Sequence, residues 1–268
     1  IGLAGVQLIY YFDQLSNILD FMAFRLSMLA SEITGFVDLE FALWQRSFYL
    51  LTGLALLFIT AFFLDRLPGQ RLAHKATGLI GIALLVASCF IMVRLWDMRQ
   101  TPILLREQMI EVNGKWTNVP NIDIVSHSID LKWIGDEIAS TSEMEVRNSS
   151  DQVLNKIYFT LNPGLTVDAV MINDKSAAID RALQILWIDQ GISIAPGQKL
   201  NIRIKYHGSI MESVAHLEVD QKRYELANDY FMFSLKKKYA FLQQDYALLT
   251  KDVLWYPDTQ VGFNRKAA

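Results

Sequence analysis

One cysteine stands in the 268 residues, Cys89, so no disulfide can form within the chain and its stability must come from packing. Charge of one sign is also lacking: 25 basic against 28 acidic residues leave a net charge of −3, too weak a field to recruit a polyanion such as nucleic acid. The four histidines, His74, His127, His207 and His216, are isolated from one another, and no H-E-x-x-H occurs. Metal-ligand spacings, a Walker-type phosphate loop and a dinucleotide fingerprint are missing too, which excludes the ATPase of a transporter. Ser126-His127-Ser128 sets a hydroxyl beside an imidazole, but neighbours in a strand face opposite ways, so the run does not make a catalytic pair.

Charge is absent altogether from two apolar stretches, Ser47 to Leu64 and Ala76 to Val93. As helices each would span roughly 27 Å, close to the hydrocarbon core of a bilayer. Neither carries the polar stripe of a soluble amphipathic helix, so both read as spanning helices, near 43–64 and 76–94. Ile1 to Tyr11 is almost wholly apolar and reads as the end of a third such helix, in a chain that is itself a piece of something larger. Leu15 to Trp44 intersperses apolar side chains with acids, the pattern of an interfacial or helix-packed segment. Trp44, Tyr49, Trp96 and Trp116 are placed to sit at headgroup level. The Asp65–Lys75 link holds Arg66, Arg71 and Lys75 against one acid, which the positive-inside rule places in the cytoplasm and which sends both outer ends away from it. Arg94, Arg99 and Arg106, on the outer side, run counter to that rule.

After residue 108 the reading is a linker over 109–120, a β domain over 121–210 and a mixed segment over 211–268. In Lys199–Tyr206, Leu200, Ile202, Ile204 and Tyr206 alternate with polar residues, the mark of a strand with one buried face. Ala195-Pro196-Gly197-Gln198 predicts a type II turn joining that strand to a short partner at Ile192–Ile194. Similar alternation at 129–132, 144–147, 157–161 and 167–172, broken by Gly135-Asp136, Asn148-Ser149-Ser150-Asp151, Asn162-Pro163-Gly164 and Asn173-Asp174-Lys175, predicts an all-β antiparallel sandwich or saddle. Glu143 and Glu145 share a face and read as an exposed strand edge. Asn148-Ser149-Ser150 matches a glycosylation acceptor but reads as a turn. Lys236-Lys237-Lys238 among aromatic residues reads as a solvated face beside a core, with anionic headgroups as the other reading.

The order of these features carries a resemblance. Ile129-Asp130-Leu131, Gly135-Asp136-Glu137, Asn148-Ser149-Ser150, Ile157 to Leu161, Leu165-Thr166-Val167, Met171-Ile172-Asn173 and Ile194-Ala195-Pro196-Gly197-Gln198 lead into Ile202 to Gly208. Over roughly Asn121 to Gly208 the chain resembles the N-terminal saddle-like β domain of the aminopeptidase N family of zinc metallopeptidases (gluzincins). It is nearest to the bacterial branch in which that module follows the helices of an ABC-2-type transporter permease. Leu248-Leu249-Thr250 and Trp255-Tyr256-Pro257 resemble that branch's approach to its peptidase region. An immunoglobulin-like or other structural sandwich is the alternative fold reading.

The resemblance implies a membrane-anchored, noncatalytic part of an aminopeptidase-like protein, its β domain framing a peptide cleft outside the bacterial cytoplasmic membrane. Its partners would be the lipid bilayer, a downstream peptidase-like domain, an ABC ATPase subunit and a peptide substrate. The family's two zinc histidines, its glutamate base and its Gly-Ala-Met-Glu-Asn segment are all missing here, so no residue of this chain is assigned a catalytic, metal or cofactor role. Zinc would belong to a longer parent. A second reading is an extracytoplasmic binding or assembly module of a transporter permease without peptidase activity, and a third a purely structural sandwich.

Overall fold

The computed structural model describes residues 18–21, 26, 35–36, 39–64, 71–189, 191–221, 223–224, 229–230, 233–234 and 238–261. The stretch read as a third helix, the Arg66 and Pro68-Gly69 part of the link, most of the Leu15–Trp44 segment and Lys236-Lys237 lie outside the described residues. Two compact units are present. One comprises Ile1–Pro102 with Leu226–Lys236, the other Ile103–Glu225 with Lys237–Ala268.

The first unit contains α1 (Leu39–Phe63) and the first part of α2 (Arg71–Trp116). Both are long and apolar enough to cross a membrane by length and composition. They touch through small groups: the Thr52 and Ser88 hydroxyls share a 2.6 Å hydrogen bond, and Gly81 lies where a side chain would meet Ile59 and the Ala55 carbonyl. Ile91 and Leu95 are buried with Ile18 against Phe41, Trp44, Phe48 and Leu51. Away from that seam the apolar surface is bare, with Leu50, Leu57, Leu79, Val86, Phe90 and Val93 exposed.

α2 corrects the sequence reading. It does not end near residue 94 or give way to a linker over 109–120, but runs to Trp116. The composition turns polar after Val93, yet Leu105, Met109 and Val112 recur at helical spacing and pack in the second unit. Pro102 is tolerated inside this helix. Trp116, read as a headgroup anchor, instead packs its ring 5.2 Å from Tyr158 and 5.4 Å from Trp187.

The second unit is built on a five-stranded antiparallel sheet in the order β1-β2-β8-β4-β5: β1 (Asp123–Ile134), β2 (Glu137–Arg147), β4 (Leu165–Ile172), β5 (Lys175–Ser176) and β8 (Lys199–Ser209). A three-stranded sheet, β3-β7-β6, is formed by β3 (Ile157–Thr160), β6 (Asp180–Ala182) and β7 (Ile185–Ile188). The inward residues of β2 and β8, among them Ile138, Met144, Val146, Ile202, Ile204 and Tyr206, share one core with Ile157, Phe159, Leu186 and Ile188 of the smaller sheet. That is the sandwich-like arrangement the alternation predicts. The short hairpin β11 (Ala240–Leu242) with β12 (Ala247–Leu249) completes the described strands of this unit, while β9 (Asp229–Tyr230), paired with β10 (Phe233–Ser234), belongs to the first.

The hairpin between β1 and β2 turns on Gly135, whose φ of 63° suits the first central position of a type II′ turn. At residues 195–198 the expected turn is present: Gly197 has φ 76° and the Gln198 amide donates to the Ala195 carbonyl at 3.0 Å. Its expected partner strand is not, because Ile194 pairs with Leu154 in a single bridge.

Buried polar side chains close the irregular segments. Asn162, fully buried, donates to the Met211 and Val253 carbonyls and accepts from the Gly164 and Met211 amides. Asn148 does the same for Gln152, Ile194 and Ser150. Its amide is therefore engaged inside the fold, which rules out the glycosylation reading for the folded chain and leaves the turn. Arg106, only 1% exposed, donates to the carbonyls of Ser213, Ala215, His216 and Val219 and lies over the Tyr224 ring.

Gly164 and Gly208 cross with backbone against backbone: a Cβ at Gly164 would fall on the Ser209 carbonyl, and one at Gly208 on the Gly164 carbonyl. Gly208 also holds φ 137°, outside the range of ordinary side chains. Alanine at either position is expected to destabilise the chain by about 1–3 kcal/mol. Gly114, in α2 with open space around it, should gain about 0.5–1 kcal/mol from the same change. Denaturant titration of the three variants checks both signs.

Candidate functional site

Alternation gives the large sheet a second face. With one face of β2 and β8 committed to the core, Glu143 and Glu145 on β2 and Lys199, Asn201, Arg203, Lys205 and His207 on β8 must point the other way. The β1 bulge at Val125 sets Ser126 opposite Glu145 and Ser128 opposite Glu143, on the same outer side. His127 stands opposite the buried Met144, so the two serines and the histidine do face opposite ways.

Ser126, Ser128, Glu143, Glu145, Asn201 and Arg203 line a shallow groove of about 400 Å³ together with Met171 of β4 and Asp174 of the following turn. Arg203 is its centre. Its Nε donates to Glu143 at 2.7 Å and its Nη1 reaches Asp174 at 3.4 Å. The hydrogen bond and charge of Glu143 hold the guanidinium above its ordinary pKa. Asp174 can take this place because Asn173 and Asp174 both adopt positive φ, 48° and 63°, in the tight turn after β4. Glu145 pairs with Lys199. Glu143 and Glu145 are thus the solvent face of an interior strand, not the exposed edge expected from the sequence. An adjoining depression of about 430 Å³ shares Ser128, Glu143 and Arg203 and adds Asp130, Thr141 and Lys205.

The described histidines stay apart. His207 Nδ1 lies 2.9 Å from Asp168, the extra residue of a bulge in β4. His216 pairs with Glu218 at 3.0 Å and packs edge-on against Tyr239. His127 sits on the inner face of β1, its ring 5.5 Å from that of Tyr256 and its Nε2 buried without a hydrogen-bond partner. No group of three His, Cys, Asp or Glu side chains among the described residues converges as a metal site would require. The charged side chains of the groove are paired with one another or with Lys199. Of the basic cluster near residue 237, Lys238 is described, and it binds Glu212 at 2.8 Å.

No protein-family model matches the sequence, and no curated protein matches it. Among solved structures, the chain is similar to an M1 zinc metallopeptidase from Deinococcus radiodurans, with 17% identity over 34% of this chain and 21% of that one, at a TM-score of 0.31. A mutant of that enzyme bound to a Tyr-Ser-Ala substrate gives the same figures. A two-domain M1 zinc metallopeptidase mutant bound to L-tryptophan gives 17% identity over 35% of this chain and 22% of that one, at a TM-score of 0.32. The chain therefore spans about a fifth of the length of these enzymes.

Burial pushes the His127 pKa below its ordinary 6.5, with the charge of Asp258 opposing more weakly. The folded state then binds fewer protons than the unfolded state between the two pKa values. The resulting stability is present above about pH 6.5 and is lost as the pH falls toward the folded-state pKa. Thermal unfolding at pH 7.5 and 5.5 should show a larger acid loss of Tm in the wild type than in His127→Asn.

Proposed function

We propose that the chain is the membrane-anchored, noncatalytic part of an aminopeptidase-like zinc metallopeptidase joined to an ABC-type permease, its β unit framing one side of a peptide cleft. The observation that carries this reading is the ordered series from Ile129 to Gly208, following two helices whose apolar side chains are left bare. The residues of that series fall on β1, β2, β3, β4 and β8 and on the turns between them.

Anchoring in a bilayer is supported by the exposure of α1: 6% of its most apolar window is buried, where the core helix of a soluble domain would be largely covered. Zinc and its ligands would come from a downstream domain of a longer parent. In this chain Glu143, Asp174 and Arg203 would contribute recognition of an extended polar chain. The β unit would lie outside the bacterial cytoplasmic membrane, with an ABC ATPase subunit on the opposite side.

The paired charges of the outer groove favour a second reading, in which this face captures a partner of the permease and the parent hydrolyses nothing. Two measurements separate the readings. Under the first, the reading frame beyond Ala268 encodes H-E-x-x-H and the complete protein releases amino-terminal residues from peptides in a zinc-dependent way. A continuation without that motif removes the peptidase. For placement, Asp151→Cys on a Cys89→Ser background should react with a membrane-impermeant maleimide in intact spheroplasts. Labelling only after lysis would put the β unit in the cytoplasm.

A further inference from the structure

β1 is the edge of the large sheet. It pairs with β2 alone, and no other backbone–backbone hydrogen bond reaches it among the described residues, although the Trp133 ring N–H on its inner face donates to the Gln243 carbonyl at 2.7 Å. Free edges of this length are ordinarily blunted by charged side chains, a bulge, an inward charge or a covering segment, and β1 carries Asp130 and Lys132 exposed on its outer face. In β1 the bulge is confined to Val125, and the stretch from Ser128 to Ile134 keeps an unbroken ladder with β2.

The backbone polarity of that stretch follows from the hairpin. Ile134 and Glu137 flank a two-residue turn and so exchange both of their hydrogen bonds. The even-numbered residues therefore direct N–H and C=O toward β2, in accord with the bond from Ser140 Oγ to the Asp130 carbonyl at 2.9 Å. Ile129, Leu131 and Trp133 direct theirs to the free edge. Their half-buried side chains form an apolar row on the inner face, while Ser128, Asp130, Lys132 and Ile134 form the outer row. Ile134 is 88% exposed.

We infer that this edge is an interface between two copies of the chain, joined antiparallel about a twofold axis through Leu131. A twofold pairing that keeps each row on its own face must set odd residues opposite odd ones. Centring on Asp130 sets Asp130 against itself, and centring on Lys132 sets Lys132 against itself, both repulsive. Centring on Ile129 matches no opposite charges. Centring on Leu131 sets Asp130 of each copy opposite Lys132 of the other, Ile129 opposite Trp133, and Leu131 opposite Leu131. It also leaves the Val125 bulge outside the paired stretch. The occupant is thus a second copy of this chain, and the two five-stranded sheets become one.

The test is a charge exchange on the whole chain purified in dodecyl maltoside, read by sedimentation velocity. The wild type should be dimeric. Asp130→Lys and Lys132→Asp, both on exposed side chains, should each weaken association by about tenfold or more, since each turns two attractive pairs into repulsive ones. Mixing the two single variants should restore dimers, because the two basic side chains of one variant then face the two acidic side chains of the other. The double exchange should also restore them. A wild type monomeric up to about 100 μM, association unaltered in both single variants, or a mixture that stays monomeric would each overturn the proposal.

Discussion

A backbone carbonyl taken out of water must be given a donor, and the second unit is arranged around that requirement. Its strands satisfy one another, but the segments near residues 148–154, 162–164, 211–219 and 253–259 join no ladder beyond the single bridges of Leu154 with Ile194 and of Asp258 with Thr160. Asn148, Asn162, Asn121 and Arg106 supply the donors, each reaching carbonyls far away in sequence. Arg181 acts likewise on Leu183, Asn162 and Leu165. Leaving one such group without its partner costs about 1–3 kcal/mol, comparable to deleting part of a core side chain. The positions of these few polar side chains therefore decide where the loops can lie, and the loops decide how the two sheets meet.

The sequence showed the ladders more clearly than the clasps. Alternation in 199–206 and the glycines at 135 and 197 have local physical causes, a one-sided strand and a positive φ, and both are visible in a short window. A buried asparagine has no such window. Asn162 and Asn148 look like ordinary turn residues because the carbonyls they bind belong to distant segments. Sequence position alone groups Arg106 with Arg94 and Arg99 as a juxtamembrane charge, although its guanidinium is enclosed. The continuation of α2 was missed for a related reason. Leu105, Met109 and Val112 make a narrow apolar stripe in a polar stretch, and a stripe of that width becomes a helix only when another surface covers it.

The outer face of the sheet was legible only in part. Glu143 and Glu145 were seen to share a face, but the register that brings Arg203 opposite Glu143 depends on the pairing of strands whose separation in sequence is large. Asp174 joins them through a turn whose left-handed backbone Asn and Asp tolerate better than most residues. The groove is thus a product of register and turn geometry, two properties that residue types alone leave open. The same register leaves the face rich in paired charges, which suits reversible, polar recognition.

The crossing of Gly164 and Gly208 has a consequence for tracing this chain's kin. Two backbones in direct contact cannot be eased by repacking side chains, so any chain that keeps this close approach must keep glycine at both positions. Asn162, whose carboxamide oxygen accepts from the Gly164 amide, binds a third position to the same constraint. Where overall identity has drifted below the reach of alignment, this spaced trio offers fixed points from which the remaining strands can be placed.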